Sequence, residues 1–465
     1  MELSPLTALS PLDGRYQQKL TELRPILSEY GLFYYRVFVE IRWLIFLADH
    51  PDIREVPSLN KETRHQLEQI IQNFSLSDVE QIKAIEKTTQ HDLKAVEYFI
   101  RQHCQANTAL SPFIPFIHFA CTSEDINNVA YSLMLTEAKE TALLPRLRTL
   151  LQTLTQLAHR YAETPMLART HGQPASPTTL GKECANFVAR LKKEYHTWRT
   201  IQLTGKWNGA VGNFNAHQAA YPTLPWEQMS RDFIVQFHLE YNEYTTQIEP
   251  HDRLAEWLQI AIRLNNILID LNRDLWGYIS LNYLQQKAVE TETGSSTMPH
   301  KINPIDFENS EGNLGLANAL ATHFVNKLPI SRWQRDLTDS TVLRNLGSFC
   351  GYSLLAYQHL LQGLHKITAN EERIRADLDS HWEVLAEAIQ TVMRRHGITE
   401  SYERLKELTR GRTIDATIIT RFIDDLPLPP EAKVQLRTLT PHNYLGAAVS
   451  LARKISDNGD KEQDV

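Results

Sequence analysis

The chain has little cysteine and no long apolar run. Its four cysteines, Cys104, Cys121, Cys184 and Cys350, show neither CxxC nor His-paired spacing among the 465 residues. We therefore expect reduced, buried thiols and no metal site. The longest apolar runs, such as residues 43–48, are too short to cross a bilayer. The stretch MELSPLTALSPLDGRY lacks the basic and apolar regions of a signal peptide. These features predict a cytoplasmic protein that does not bind a membrane.

An excess of positive charge is also missing. The chain has 48 Lys and Arg against 55 Asp and Glu, which gives a net charge of -7. Because there is no general basic field, we expect no nucleic-acid partner, and any anionic ligand must be held by a local cluster of Arg and Lys. The sequence has no GxxxxGK[ST], GxSxG, HExxH or EF-hand motif. The glycine-rich stretch GKWNGAVGNFNAH (205–217) lacks the spacing of a dinucleotide-binding fold and is interpreted as a loop.

Helical periodicity is strong along most of the chain, whereas strand signals are weak. Apolar residues recur at spacings of three and four from residue 252 to 289 without an intervening proline. Such a helix would be about 55 Å long and would need a long bundle, shared between subunits, to bury its apolar stripe. Similar patterns predict long helices over residues 125–162, 177–201, 308–327 and 341–367. Pro145 is expected to kink the first of these four.

These patterns predict an all-α fold with a central bundle of five long helices and two smaller helical domains. The predicted divisions are an N-terminal, mostly helical domain (1–111), the bundle (112–367), a C-terminal helical domain (368–455) and a disordered tail (456–465). Helices of the N-terminal domain are expected near residues 26–50, 61–73 and 91–104.

Two polar loops precede predicted helices in the first half of the chain. In CTSEDINN (121–128), Thr122 and Asp125 fit a capping box, and the helix N-terminus would let Thr122 and Ser123 hold a carboxylate. A simple N-cap explains the same residues. In ARTHGQPASP (168–177), Ser176 and Pro177 predict the N-cap and first residue of a helix, with His171 at its mouth as a candidate acid or base.

Two further polar loops lie in the second half. In SRWQRDLTDSTVLRN (331–345), arginines surround a predicted helix start capped by Asp339 or Ser340, an arrangement suited to a phosphate. An ordinary solvated charged face is the alternative. In GSSTMPHKINPIDFEN (294–309), glycine, serines, prolines, His300 and Lys301 together favour a functional loop over a linker.

The complete string GSSTMPHKINP (294–304) resembles the signature of the fumarase/aspartase superfamily. The accompanying motifs resemble its adenylosuccinate lyase family: LDGRY (12–16), HD (91–92), TSED (122–125), RTHGQPA (169–175), YTTQIEPHD (244–252), ENSEGN (308–313) and RWQRDLTDSTVLRN (332–345). The resemblance covers all but the last ten or so residues. It implies a homotetramer of packed long helices whose active sites are each built from three subunits.

The resemblance also implies the reaction, a β-elimination of fumarate from purine nucleotide substrates without a metal or redox cofactor. It gives Ser295 the role of general base and His171 that of general acid, with Lys301 and Asn303 stabilising the carbanion and His91 also in the catalytic group. The implied substrate contacts are Arg15, Tyr16, Gln90, His91, Asp92, Thr122, Ser123, Thr170, Gln247, Lys301, Asn303, Asn309, Arg335, Ser340, Thr341 and Arg344.

One position departs from the family pattern, and two alternatives remain open. Gln90 stands where relatives often carry Asn, so the role of that side chain is in doubt. A sister lyase acting on argininosuccinate, aspartate or fumarate would share the signature loop, although Arg15 and the arginines of 332–344 favour a phosphorylated substrate. A non-catalytic scaffold with the same fold would be expected to have lost Ser295, His171 or Lys301, and all three are present.

Overall fold

A computed structural model describes residues 1–2, 4–287, 297–298, 300–410 and 414–456. Helices dominate this part of the chain, which confirms the predicted all-α class. The expectations for Gly294, Ser295, Ser296 and Pro299, and for the tail from residue 457 onward, lie outside the described residues. None of the described helices combines the length and apolarity needed to span a bilayer.

The helices are numbered here in chain order. The helices up to residue 160 are α1 (Arg24–Leu27), α2 (Glu29–Asp49), α3 (Lys61–Gln72), α4 (Leu76–Thr89), α5 (Asp92–Gln105), α6 (Ser123–Ala138) and α7 (Leu144–Arg160). The next are α8 (Leu180–Thr200), α9 (Asn215–Ala220), α10 (Trp226–Val235), α11 (Asp252–Ser280), α12 (Ile305–Lys327), α13 (Thr338–Leu343) and α14 (Leu346–Lys366). The last are α15 (Glu371–Asp379), α16 (Ala386–Arg395), α17 (Ser401–Thr409), α18 (Ala416–Asp425), α19 (Pro430–Arg437) and α20 (Ala448–Lys454).

Strands are short and pair two by two within the described ranges. The antiparallel pairs are β1 (Pro165–Thr170) with β2 (Gln173–Thr179) and β5 (Leu284–Gln286) with β6 (Ile367–Ala369). The parallel pair is β3 (Thr204–Gly205) with β4 (Glu240–Tyr241). Short 3-10 turns cover Gln17–Lys19, Ser111–Phe116 and Trp382–Leu385, and a π turn covers Lys139–Leu143.

The chain forms two compact units. The first consists of Met1–Arg146, Thr197–Asn266 and Gly312–Ala356, and the second of Leu147–His196, Ile267–Glu311 and Tyr357–Val465.

The core of the first unit is built around α2, which packs against α6 and is buried on most sides. Trp43, Trp207 and Phe233 pack together near its C-terminal end in tilted and edge-to-face contacts, with ring centroids 4.5 to 5.0 Å apart. Because apolar surface covers α2 so completely, the two buried charged residues on it, Arg36 and Glu40, must each find a partner.

The second unit contains the hairpin β1–β2 and a C-terminal helical cluster. Leu385, Ile389, Met393, Ile419 and Leu436 form the centre of that cluster. Apolar side chains meeting from several short helices supply the stability that these helices lack individually.

The hairpin β1–β2 corrects the prediction of a helix over 177–201. Ser176 and Pro177 are not its N-cap and first residue; they lie within β2, and α8 begins at Leu180. The physical reason is that two prolines and two β-branched threonines in residues 174–179 disfavour helix and suit an edge strand.

The long helix predicted over 252–289 is also shorter in the structure. α11 has 29 residues and ends at Ser280. Asn282 then adopts a left-handed conformation (φ 59°), which ends the helix before β5. Residues 288 and 289 lie outside the described ranges.

The helix start predicted near Asp339 differs too. α13 begins at Thr338 after Leu337, which offers no side-chain cap. The carboxylate of Asp336 accepts a hydrogen bond from the Thr338 N–H at 2.8 Å instead. The following helix, α14, begins at Leu346 rather than at residue 341. A π turn lies just before α7, and Pro145 is the second residue of that helix.

A carboxylate anchors the hairpin to α15. Asp377 Oδ2 accepts a hydrogen bond from Arg169 Nη2 at 2.7 Å and another from the Tyr283 hydroxyl. Burial alone would raise the pKa of Asp377, but the hydrogen bonds from Tyr283 and Arg169 hold it below its usual value. Since Arg169 is in β1, this cluster fixes the strand that leads to the hairpin tip.

We expect Asp377→Asn to lower the free energy of unfolding by about 2 kcal/mol, because Arg169 loses its ionic partner in a partly buried site. Asp379→Asn is the matched control, since Asp379 is 62% exposed on the same helix and bonds His442. That control should change stability by less than about 0.5 kcal/mol. Urea denaturation measures both variants, and equal effects would contradict the anchoring role.

His217 is a buried neutral histidine in the first unit. It is fully buried, and its ring lies 4.9 Å from that of Trp226. Neither of its ring nitrogens has a hydrogen-bond partner among the described residues. Burial lowers the pKa of His217 to about 4, because the charged imidazolium would lose its hydration.

This shift predicts a specific pH dependence of stability. In the unfolded chain this imidazole is protonated near its ordinary pKa of about 6.5, whereas in the folded chain it stays neutral down to a pH of about 4. The free energy of unfolding therefore falls as the pH drops from about 6.5 to 4. At pH 5 the loss attributable to His217 is about 2 kcal/mol relative to pH 7.5. Unfolding free energies at both pH values should show a smaller loss in His217→Phe than in the wild type. The exposed His65, replaced as His65→Phe, should leave the pH dependence unchanged.

Candidate active site

Each compact unit carries part of the predicted site. The first unit contains Arg15, Tyr16, Gln90, His91, Asp92, Thr122, Ser123, Gln247, Arg335, Ser340, Thr341 and Arg344. The second contains Thr170, His171, Lys301, Asn303 and Asn309. Ser295, the predicted base, lies outside the described residues.

Asp92 and Arg344 are brought together in the first unit. Asp92, the first residue of α5, accepts at Oδ2 from Arg344 Nη2 at 2.8 Å and forms an ion pair with Arg36 Nη1 at 2.9 Å. Arg344 also contacts Glu29 at 3.0 Å. Burial opposes ionisation of Asp92, but the neighbouring Arg36 charge and the Leu93 N–H hold its pKa below the usual value. Asp92 is therefore a fixed anion between two guanidinium groups.

Gln247 and Arg335 form a second pair. Arg335 Nη1 donates to Gln247 Oε1 at 3.3 Å, and Arg335 Nη2 lies 2.9 Å from Glu124 Oε1. The Arg335 side chain is only 15% exposed, so these partners hold its guanidinium plane in a defined orientation. Arg332, by contrast, is 80% exposed and pairs with Asp336 at 3.5 Å, which fits the solvated charged face.

Thr122 and Ser123 lie at the start of α6, as predicted. Thr122 and Asp125 form the expected capping box, in which the Thr122 N–H donates to Asp125 Oδ2 at 2.7 Å. Both residues are half-buried, and Ser123 is the first residue of the helix. The N-cap explanation of Thr122 is thus correct, and the helix end still presents N–H groups with a positive dipole.

The glycine-rich stretch 205–217 binds a buried carboxylate, a role that the sequence did not indicate. The fully buried Asp125 Oδ1 accepts from the Asn208 N–H at 3.0 Å and the Gly209 N–H at 3.3 Å. It also forms an ion pair with the fully buried Lys206 Nζ at 3.1 Å. The stretch therefore satisfies the carboxylate that starts α6.

Gln90 and His91 connect α4 to α5. His91 is the N-cap of α5, where its Nδ1 accepts from the Lys94 N–H at 3.1 Å. Gln90 adopts a left-handed conformation (φ 52°) after α4 and donates from its side chain to the Lys87 carbonyl at 2.8 Å. Asn tolerates this backbone region better than Gln, so Gln90 stands at a position whose conformation would favour Asn.

The remaining predicted residues of the first unit lie on turns and on α13. Arg15 and Tyr16 precede the 3-10 turn, with the Arg15 guanidinium carbon 5.9 Å from the Tyr16 ring centroid. Ser340 and Thr341 occupy α13 between Arg335 and Arg344 in sequence, and Thr341 is exposed.

In the second unit, His171 and Gly172 form the two-residue tip of the hairpin β1–β2. Thr170 pairs with Gln173 across the tip, and both tip residues have positive φ, 55° at His171 and 75° at Gly172. A tight two-residue hairpin turn requires such angles. The imidazole is thereby presented on an exposed tip whose strand is anchored at Asp377.

Lys301, Asn303 and Asn309 lie around the start of α12. Lys301 is exposed, and its N–H donates to the Met298 carbonyl at 3.0 Å in a turn. Asn303 is half-buried just before the helix, and Asn309 is half-buried in its second turn. Asp306 accepts a hydrogen bond from Lys366 Nζ at 2.8 Å. This contact fixes the start of α12, which directly follows Lys301 and Asn303 in the chain.

Five residues that organise the site were not among the sequence candidates: Arg36, Glu124, Lys206, Asp306 and Asp377. A charged residue inside an otherwise apolar helical pattern was the available signal for Arg36. Across the described residues, no group of three or more His, Cys, Asp and Glu side chains is arranged to hold a metal ion.

The chain matches two protein-family models and is similar to several named proteins. A family model described as Lyase matches residues 14–318, and one described as Adenylosuccinate lyase C-terminal matches residues 331–445. Adenylosuccinate lyase of Haemophilus influenzae is 54% identical over 456 residues, covering 98% of this chain and 100% of the relative. Adenylosuccinate lyase of Escherichia coli K12 is 54% identical over 455 residues, with coverage of 98% and 100%.

A solved structure agrees with the fold. The fumarate lyase from Mesorhizobium sp. BNC1 has a TM-score of 0.75 at 17% identity, covering 92% of this chain and 96% of that one. At this identity the likeness concerns the fold alone. The sequence matches, in contrast, extend over nearly the whole chain and include the motif regions. The chain therefore belongs to the adenylosuccinate lyase family of the fumarase/aspartase superfamily.

Proposed function

We propose that the chain catalyses β-elimination of fumarate from adenylosuccinate, giving AMP, in purine nucleotide biosynthesis. The same reaction would convert succinylaminoimidazole carboxamide ribotide into aminoimidazole carboxamide ribotide. The observation that carries this proposal is the 54% identity, over 98% of the chain, to proteins named adenylosuccinate lyase. The complete GSSTMPHKINP signature supports it.

The elimination needs a base at the carbon beside a carboxylate. Ser295 is the proposed base and takes the proton from that carbon. A serine hydroxyl is a weak base, so its alkoxide needs cations and N–H donors nearby in a site that excludes water. The exposed Lys301 and the adjacent Asn303 are proposed to stabilise the aci-carboxylate dianion that forms when the proton leaves.

The breaking C–N bond needs a proton on the nitrogen that leaves. His171 is the proposed acid. Its position at the tip of a two-residue hairpin presents the ring to a ligand, and the anchored strand limits its movement. Imidazole exchanges protons near neutral pH, which suits this step. His91, which caps α5 through Nδ1, is proposed to assist from the purine side.

The two ends of the substrate require different binding groups. Thr122 and Ser123 at the α6 N-terminus are proposed to hold the succinyl carboxylate, because N–H groups and the helix dipole favour an anion there. The other proposed contacts are Arg15, Tyr16, Arg335, Ser340, Thr341 and Arg344 for the phosphate and ribose, and Gln90, His91, Asp92, Thr170, Gln247 and Asn309 for the remaining groups.

The arginines distinguish this substrate from those of sister lyases. Both arginines are paired with carboxylates in the structure. Arg335 pairs with Glu124, and Arg344 pairs with Asp92 and Glu29. A phosphate dianion would accept strong, bidentate hydrogen bonds from these guanidinium groups, in place of the carboxylates or beside them. Argininosuccinate, aspartate and fumarate carry no phosphate, so they would leave this arrangement without a function.

The proposed assembly is a cytoplasmic homotetramer with active sites shared between subunits. The segments 122–125, 169–175 and 294–309 are far apart in the chain, and the family resemblance implies that they meet across subunits. Long helices such as α11, with 29 residues, support association because a helix of that length needs an extended partner surface.

The wild-type protein is expected to release fumarate from adenylosuccinate but not from argininosuccinate. We expect Ser295→Ala and His171→Ala each to reduce turnover at least about 100-fold, because each removes a proton-transfer group. A spectrophotometric fumarate assay measures both, and size-exclusion chromatography checks that the oligomer is intact.

Ser450→Ala and His65→Ala are the matched controls, since both residues are exposed and distant in sequence from the motifs. They should retain wild-type turnover. Absence of fumarate release by the wild type at micromolar enzyme would contradict the proposed reaction. Near wild-type turnover in either site variant would contradict the role of that residue.

A further inference from the structure

A buried arginine lies between two elements of the binding site. Arg36 on α2 is 2% exposed and is surrounded by the apolar core of the first unit. Its Nη1 forms the ion pair with Asp92 Oδ2 at 2.9 Å, and its Nε donates to Asn127 Oδ1 at 2.9 Å. A buried guanidinium needs compensating partners, and Arg36 has an ion pair at Nη1 and a hydrogen bond at Nε. Arg36 therefore ties α5 and α6 to α2.

The contact continues along α6 to one of the proposed substrate arginines. Asn127 Nδ2 donates to Glu124 Oε1 at 2.7 Å. The same carboxylate oxygen lies 2.9 Å from Arg335 Nη2. Glu124 and Asn127 are both buried, so each has few alternative partners. The orientation of Arg335 thus depends on an amide that Arg36 holds.

At its other end the contact reaches the second proposed arginine. Asp92 Oδ2 accepts a hydrogen bond from Arg344 Nη2 and is ion-paired with Arg36 Nη1. The result is an unbroken polar chain that runs Arg344–Asp92–Arg36–Asn127–Glu124–Arg335. We call these six residues the Arg36 chain.

The charges of the chain explain why its centre matters. Without Arg36, the Asp92 carboxylate would have Arg344 as its remaining guanidinium partner and would neutralise it more completely. Because the negative charge of Asp92 is shared with Arg36, it neutralises less of the positive charge that Arg344 offers to a ligand anion. On the other side, Arg36 fixes the Asn127 amide, which in turn shares Glu124 with Arg335.

We propose that Arg36 is a positioning residue for recognition of the nucleotide phosphate. It touches no substrate; it orients and partly frees the two arginines at the ends of the Arg36 chain. This inference rests on the proposed function, in which those arginines bind the phosphate end. It predicts a selective loss of affinity for nucleoside monophosphate, because the α6 start that binds the carboxylate is fixed separately by Asp125 and Lys206.

The test uses Arg36→Lys and Asn127→Leu in the full-length protein, with AMP and fumarate as competing inhibitors. Lysine keeps the charge but cannot bond Asp92 and Asn127 together as the guanidinium fork does. Leucine is close in shape to Asn127 and breaks the chain without touching the Arg36–Asp92 pair. We expect the inhibition constant of AMP to rise at least 10-fold in Arg36→Lys and at least 3-fold in Asn127→Leu. That of fumarate should stay within 2-fold in both.

Arg42→Lys is the matched control, since Arg42 lies on the same helix and pairs with Glu68 at 3.5 Å, outside the Arg36 chain. It should leave both inhibition constants unchanged. An unchanged AMP constant in a folded Arg36→Lys protein would overturn the proposal, as would an equal rise of the AMP and fumarate constants. If Arg36→Lys does not fold, Asn127→Leu alone decides by the same criteria.

A separate measurement tests whether the protein catalyses the proposed reaction at all. Wild-type turnover of adenylosuccinate is measured first, and its absence would contradict the proposed reaction. Calorimetric titration of AMP into the same variants then still decides the role of Arg36, because it measures binding without catalysis.

Discussion

A buried carboxylate in the first turn of α6 constrains the first compact unit, which contains most of the proposed binding residues. Asp125 is fully buried, so its oxygens must all be matched by donors. The Thr122 N–H, two N–H groups of the 208–209 segment and the Lys206 ammonium supply them. As a result, the helix end that bears Thr122 and Ser123 cannot shift without leaving a buried charge unpaired. The same requirement explains why the glycine-rich stretch is held in place.

Rigid support of this kind recurs around the other proposed functional groups. In the first unit, the Arg36 chain holds the guanidinium of Arg335 through the buried Glu124 and that of Arg344 through the half-buried Asp92. In the second, Asp377 fixes the strand that carries His171 to its turn. Preorganised donors are worth more than mobile ones, because the cost of orienting them is met on folding rather than on binding. The proposed functional groups thus lie on elements that are held in place by ion pairs and hydrogen bonds of buried or half-buried residues.

Much of the fold was predictable because its dominant signal is local. Helical periodicity located most of the long helices, and the TSED capping box marked the start of α6 correctly. The hairpin at 165–179 was missed because Ser176 followed by Pro177 is typical of a helix start, although neighbouring prolines and threonines favour strand. The end of α11 was missed because it depends on the left-handed conformation of Asn282. The spacing of apolar residues gives no information about such a conformation.

Some residues of the candidate site were likewise predictable from the sequence, and others were not. Short motifs within the sequence supplied the groups that are proposed to face a ligand. They could not identify Arg36, whose partner Asn127 is 91 residues away, nor Asp377, which is 208 residues from Arg169. Pairings at such separations are set by tertiary packing, and no spacing within one element encodes them.

A crystal structure of the Ser295→Ala protein with adenylosuccinate bound would test the proposed site most directly. We expect the phosphate on Arg335 and Arg344, the succinyl carboxylate at the α6 N-terminus, and His171 from another subunit within hydrogen-bond distance of the leaving nitrogen. A phosphate bound away from both arginines, or a leaving nitrogen out of reach of every His171 in the oligomer, would contradict the proposed site.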